Sequence, residues 1–295
     1  MEKLQAAIEI ARRQRAAQEG RAPQAAGPGP DATDLPADAA SPDRSSDDRG
    51  LDQPTVTTDA AWNALREVQL NRGALIHSRI LSLNASAESA PFDVLRTKIL
   101  YQMRQNNWRR LAVTSPMPQC GKTTTSVNLA LALSRQPELR TILFDFDLRA
   151  PTVTEKLGLK DAPSITPLLS GKTRFQDHAV RVGPNLALAL SGAPDSDPTR
   201  LLMADSTREV LARIQADYAP DIMIFDLPSI LIGDDARAFL QHVDCALILA
   251  RAEQTRYGDF DSCEREVGEY TNVLGVVLNG YRHADGKFDA VEGTG

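Results

Sequence analysis

Cysteine is scarce in this 295-residue chain. Cys120, Cys245 and Cys263 stand far apart, which excludes a disulfide framework and offers no paired spacing for structural zinc. Packing in a reduced state is the simplest role for Cys245 and Cys263, free cysteine being among the most buried residue types. Long apolar runs are missing too. No stretch approaches the roughly 18 residues of a membrane-spanning helix, and the start MEKLQAAIEIARRQRAAQ lacks the apolar block of a secretory signal, so a cytoplasmic chain is expected. Nor is there an excess of positive charge. Lys and Arg number 33 against 39 Asp and Glu, a net charge of −6, and a chain so balanced is not built to neutralise a nucleic-acid backbone; no nucleic-acid partner is expected. What it does have is a hydrophobic fraction of 42%, enough for one α/β domain with appendages.

Residues 1–18 place Leu4, Ile8 and Ala11 on one helical face beside Arg12, Arg13 and Arg15, the pattern of a short amphipathic helix that either frays or docks on a partner or membrane surface. Residues 19–57 turn to Ala, Pro, Gly, Ser and Asp with almost no large apolar side chains, so a disordered linker is expected there. Residues 58–285 form the folded unit, and 286–295 a flexible tail. Within the folded unit, helical spacing appears around Trp62, Leu65 and Val68, and again around Phe92, Leu95, Ile99 and Met103. Six apolar strands follow, LAVTS at 111–115, TILFDFD at 141–147, LALAL at 186–190, IMIFD at 222–226, ALILA at 246–250 and GVVLN at 275–279. Continuous apolar strands separated by helical segments predict a mostly parallel sheet covered on both faces by helices.

The first strand runs straight into Pro116-Met117-Pro118-Gln119-Cys120-Gly121-Lys122-Thr123-Thr124-Thr125 and then a helical segment. That is the context of a phosphate-binding loop. Amides of Gln119, Cys120, Gly121, Lys122, Thr123 and Thr124 would face phosphate oxygens, Lys122 would add a full charge, and the Thr123 hydroxyl would ligate Mg²⁺. The strict G-x-x-x-x-G-K-[ST] pattern has glycine where this chain has Pro116, so the loop alone is a weak signal. The carboxylates add to it. Asp145 and Asp147 end one apolar strand at alternate positions, and Asp226 ends another in a Walker B arrangement. At the carboxyl ends of parallel strands, Asp145 and Asp226 are candidate Mg²⁺ ligands, and Asp145 or Asp147 a candidate acceptor of a proton from an attacking hydroxyl. Each aspartate taken singly would also serve as a helix cap.

With these residues in place, the stretch from about Pro91 to Arg282 resembles the bacterial tyrosine kinases and their relatives in capsule and exopolysaccharide synthesis. The resemblance rests on Thr114–Thr123, which follows T-S-x-x-P-G-E-G-K-[ST]; on DFDLRAP at 145–151; on LLSGKT at 168–173; on LSGAPDSDPTRLL at 190–202; and on Asp226-Leu227-Pro228. It implies a P-loop NTPase fold with a helical N-terminal extension, ATP and Mg²⁺ as cofactors, and transfer of the γ-phosphate to protein tyrosine. It further implies Lys122, Asp145 and Asp147 as catalytic residues, Asn279 in the adenine pocket, and a homo-oligomer. The partner it implies is a membrane polysaccharide co-polymerase that recruits the chain to the inner face of the membrane. The sequence departs from the family at Gln119 and Cys120, which replace Gly-Glu, and a Cys120 thiol beside a lysine and a helix start is a candidate for oxidation. Of the ring-forming E-x-x-R-x-x-R motif only Arg96 is kept, Ala90 and Asp93 occupying the other positions, and no tyrosine follows Tyr281. An ATP-dependent switch or scaffold without kinase activity is therefore the alternative. A Min/Par-type positioning ATPase, which carries a further lysine where Met117 stands, is a weaker one.

Overall fold

The computed structural model describes residues 57–160 and 162–281. The amphipathic helix expected at 1–18, the linker up to residue 56 and the tail at 286–295 lie outside the described residues.

Among the described residues the strands are β1 (Arg66–Glu67), β2 (Arg110–Thr114), β3 (Thr141–Asp145), β4 (Val180–Val182), β5 (Leu186–Ala189), β6 (Ile222–Asp226), β7 (Cys245–Arg251) and β8 (Asn272–Asn279). They form an eight-stranded sheet in the order β1-β4-β5-β3-β6-β2-β7-β8. All neighbours are parallel except β4 and β5. The six expected strands are present, and the parallel centre follows from their composition, because strands buried on both faces carry no polar alternation. Successive residues serve opposite faces. Phe144 and Phe225 pack with Phe146 and Phe239 on one side; Leu143 and Ile224 pack with Leu111, Val113, Leu129 and Leu131 on the other. The first group is an aromatic cluster, with Phe144 stacked on Phe225 at 4.9 Å and Phe146 edge-on to Phe239 at 4.7 Å.

The N-terminal helical reading holds in part. Thr58–Asn63 is a helix that buries Trp62, whose indole N–H donates to Tyr218 O at 2.8 Å. It ends before Val68, which instead follows β1 and donates its amide to Arg181 O, extending a strand contact. The second helix, Ala90–Gln105, buries Ile99, Leu100 and Met103 as its spacing predicts.

Strand order positions the site. β6 lies between β3 and β2, and the register sets Asp226 opposite Asp145 on one side and Val113 on the other. Neighbouring strands lie about 4.8 Å apart, so sheet pairing alone brings two carboxylates and the loop after β2 to one edge of the sheet.

Candidate functional site

The loop from Ser115 to Gly121 is held by its carbonyls. Ser115 Oγ donates to Met117 O at 2.7 Å, Arg251 Nη1 to Gln119 O at 2.8 Å, and Asn279 Nδ2 to Cys120 O at 2.8 Å. In a trans peptide the N–H of the next residue points away from the carbonyl. Pinning the carbonyls of Gln119 and Cys120 to the protein therefore turns the amides of Cys120 and Gly121 outward, and neither donates to a protein group among the described residues. Gln119 and Gly121 have positive φ, 64° and 93°. At Gly121 a side chain has no room: a Cβ would lie 2.1 Å from Asn279 Nδ2. The helix Lys122–Ser134 that follows has no side-chain N-cap, so its first amides and its dipole also remain for an anion.

Lys122 is 9% exposed and lies back in the site, with Nζ donating to Ser229 Oγ at 3.1 Å. Ser229 in turn shares a 3.2 Å hydrogen bond with Ser115 Oγ. Thr123 Oγ1 donates to Asp226 Oδ2 at 2.6 Å, and Ser126, one turn along the helix, donates to Asp226 Oδ1 at 2.9 Å. Asp145 Oδ2 accepts from Val153 N–H at 3.0 Å, while its buried Oδ1 has no partner. Asp147 is half-buried just past the end of β3. The Thr124 carbonyl accepts from Asn128 Nδ2 at 2.8 Å, one turn into the helix.

Burial dominates the electrostatics. It raises the pKa of Asp145 well above the usual carboxylate range, and the neighbouring Asp226 raises it further. Burial pushes Asp226 up to about 6, against the pull of Thr123, Lys122 and Ser126. Burial raises Asp147 also, with Lys122 opposing. Asp226 and Asp147 thus share one ammonium group in a desolvated corner, with Asp145 beside them, an arrangement that a divalent cation relieves. The orphaned Asp145 Oδ1 and the paired Thr123 and Asp226 oxygens are hard donors of the type Mg²⁺ takes. Among the described residues no three His, Cys, Asp or Glu are placed so that they could hold a metal ion by themselves.

The structure therefore brings Gln119, Cys120, Gly121, Lys122, Thr123, Thr124, Asp145, Asp147, Asp226 and Asn279 to one place. Asn279 sits under the loop, its Oδ1 accepting from Gly280 N–H and its Nδ2 holding Cys120 O. Cys120 is 2% exposed, its Sγ beside Pro118 O and Thr255 Oγ1, so solvent oxidants do not reach it directly. Sequence reasoning missed Ser115, Ser126 and Ser229. Ser126 was findable, three residues after Thr123 and hence on the same helical face; Ser229 carried no signal beyond lying three residues after Asp226.

Residues 111–290 match the CobQ/CobB/MinD/ParA nucleotide binding domain family. Tyrosine-protein kinase YwqD of Bacillus subtilis is 26% identical over 215 residues, covering 71% of this chain and 89% of that protein. Tyrosine-protein kinase wzc of Salmonella typhimurium is 30% identical over 198 residues, 66% of this chain but only 27% of that protein. Among solved structures, the kinase domain of VpsO superposes with a TM-score of 0.58 at 26% identity, covering 66% of this chain and 96% of that one. The kinase domain of Escherichia coli tyrosine kinase ETK gives 0.60 at 23% identity, covering 68% and 80%, a likeness of fold.

Proposed function

The chain belongs to the CobQ/CobB/MinD/ParA nucleotide-binding domain family, and from that premise we propose that it is an ATP- and Mg²⁺-dependent protein-tyrosine kinase of exopolysaccharide or capsule synthesis and export. The observation that carries this reading is the convergence of Lys122, Thr123, Asp145, Asp147 and Asp226 on a loop with outward amides, in a chain whose relatives are tyrosine-protein kinases. The loop amides and Lys122 hold the β- and γ-phosphates, and Lys122 exchanges Ser229 for phosphate when nucleotide arrives. Thr123 and Asp226, with Asp145 behind them, would hold Mg²⁺, which supplies neutralisation of charge on the transferring phosphoryl group. Asp147, less enclosed than Asp145, takes the proton of the acceptor hydroxyl. Asn279 keeps the loop in shape from below, and reaching an adenine would require it to release Cys120 O.

Tyr257, Tyr270 and Tyr281 are all exposed, at 68%, 42% and 57%, and so are open to a second copy of the kinase. A separate acceptor on a membrane polysaccharide co-polymerase fits the same chemistry. Among the described residues no helix is long and apolar enough to cross a membrane; recruitment through that partner is part of this reading. A second reading, a nucleotide-driven switch without tyrosine transfer, is favoured by Ala90 and Asp93 standing at two of the three positions of the ring-forming motif. Incubation with Mg²⁺ and γ-labelled ATP, with and without the co-polymerase's cytoplasmic segment, separates them. Phosphotyrosine that disappears in Lys122→Met establishes the kinase; nucleotide binding without it leaves the switch.

A further inference from the structure

The nucleotide loop follows the carboxyl end of β2, and the opposite end of the same strand borders a second cleft. Because β2 has five residues, about 16 Å separates its two ends. The cleft has a volume of about 500 Å³, and its lining includes Arg109, Arg110, Arg208, Gln215, His242 and Asp244.

Its positive groups are poorly compensated. Arg208 pairs with Asp205 on its own helix, in an exposed pair that solvent screens. Arg109 and Arg110 have no ion pair among the described residues; Arg109 Nη1 reaches Pro220 O at 3.4 Å. Asp244 is the one carboxylate in the lining, and its Oδ2 accepts from the main-chain N–H of Arg109 at 2.7 Å and of Arg110 at 2.8 Å. Arg110 is held in place through Nε to Gln215 Oε1 at 2.9 Å and Nη1 to His242 O at 3.3 Å. Burial lowers its pKa, with Asp244 only partly opposing. Beside it, the ring Nε2 of His242 is buried without a hydrogen-bond partner. Burial, then Arg110 and Arg208, push the His242 pKa down. Arg110 is thus a partly desolvated guanidinium whose one carboxylate neighbour in the lining, Asp244, spends an oxygen on two main-chain amides, and an anion held in the cleft relieves it.

The geometry points to an anion-binding site in this cleft for the phosphate group of a small molecule. Arg109, Arg110 and Arg208 line the cleft from two segments of the chain against the single carboxylate of Asp244, and guanidinium groups match phosphate oxygens in pairs. The site shares no residue with the nucleotide loop and stands whether or not the chain is a kinase.

The test uses the full chain with isotope-labelled histidine. The chain has four histidines, and His242→Gln identifies the resonance of interest. Sodium pyrophosphate and O-phosphotyrosine are titrated separately without Mg²⁺ at matched ionic strength, in the wild type and in Lys122→Met, so that binding at the loop is not what is read. The expected result is a saturable shift of the His242 resonance in both backgrounds, weakened at least tenfold by Arg208→Glu and by Arg109→Glu. A response to pyrophosphate alone assigns the site to free polyphosphates, and a response to phosphotyrosine alone to phosphoesters. A His242 resonance that neither compound moves, or a shift that both charge reversals leave unchanged, overturns the proposal.

Discussion

Gly121 and Asp226 show how single residues set the site against stability. At Gly121 the backbone conformation and the 2.1 Å approach of Asn279 Nδ2 to a built Cβ each oppose a side chain. Gly121→Ala is expected to cost on the order of 1–3 kcal/mol and to weaken ATP binding at least tenfold. Adding Asn279→Ala should recover part of the stability, since it removes the collision and leaves the strain; urea unfolding of the two variants measures this. Asp226 acts in the opposite sense. Its folded pKa of about 6 lies above the 3.8 of a free aspartate, so the native state binds the extra proton between these values. Stability of the nucleotide-free protein therefore falls as pH rises from about 4 to 6, and stays low above that. Asp226→Asn should be the more stable protein at pH 8, on the order of 1–2 kcal/mol after its lost hydrogen bond, with the difference closing near pH 4. Thermal unfolding across that range checks the sign. The same variant should lose Mg²⁺-dependent nucleotide binding, because the carboxylate that destabilises the empty site is the one that ligates the cation.

Among the elements, the helix Lys122–Ser134 does more than carry the loop. Asn128, fully buried, accepts from the main-chain N–H groups of Leu81 and Ser82 at 2.7 and 3.0 Å and donates to Arg79 O and Thr124 O at 3.0 and 2.8 Å. It fastens the segment before the first long helix to the nucleotide helix. Asn128→Ala leaves buried main-chain groups unsatisfied and should cost about 2–4 kcal/mol. Asn128→Asp should be no better, since it keeps the accepting oxygen and loses both donations; urea midpoints of the pair decide this. Nothing in the sequence announced the role, because an asparagine inside a helical run reads only as a mild mismatch of propensity. The central strands were legible for the converse reason: apolar runs such as IMIFD and ALILA admit few other placements in a chain with helices between them. β4 was not, being three residues long and antiparallel to β5, with neither an apolar run nor a crossover helix to mark it. Trp62, Leu65 and Val68 fit a helical period as well as they fit a helix followed by a strand, and only the pairing of Val68 with Arg181 decides between them. In the site, Lys122, Thr123 and the aspartates were readable because each has a charge or ligand role to fill; Ser229 was not, since a serine that receives a lysine looks like any other serine.

For the whole molecule, the boundary of the folded unit follows from where burial begins. Thr57 Oγ1 accepts from Ala60 N–H and caps the helix Thr58–Asn63. Trp62 and Leu65, each 2% exposed, belong to the aromatic side of the core, and Leu75 and Ile80, each 1% exposed, to the other. The segment before Ala90 is thus part of both faces of the sheet, although the nucleotide motifs begin only at Thr114. We propose that residues 57–281 fold and bind nucleotide without the rest. A 57–281 fragment should unfold within about 2 °C of the full chain and bind ATP with unchanged affinity. A 90–281 fragment keeps every motif but exposes the surface that Trp62, Leu65, Leu75 and Ile80 cover. It also loses the Asn128 partners at Arg79, Leu81 and Ser82 and should be destabilised by about 5 kcal/mol or more, which leaves a domain of this size largely unfolded. Calorimetry and fluorescence of Trp108, the tryptophan both fragments share, distinguish the two. If 57–281 proved as unstable as 90–281, residues 1–56 or 282–295 would have to supply packing to the sheet, and the boundaries at Thr57 and Tyr281 would be wrong.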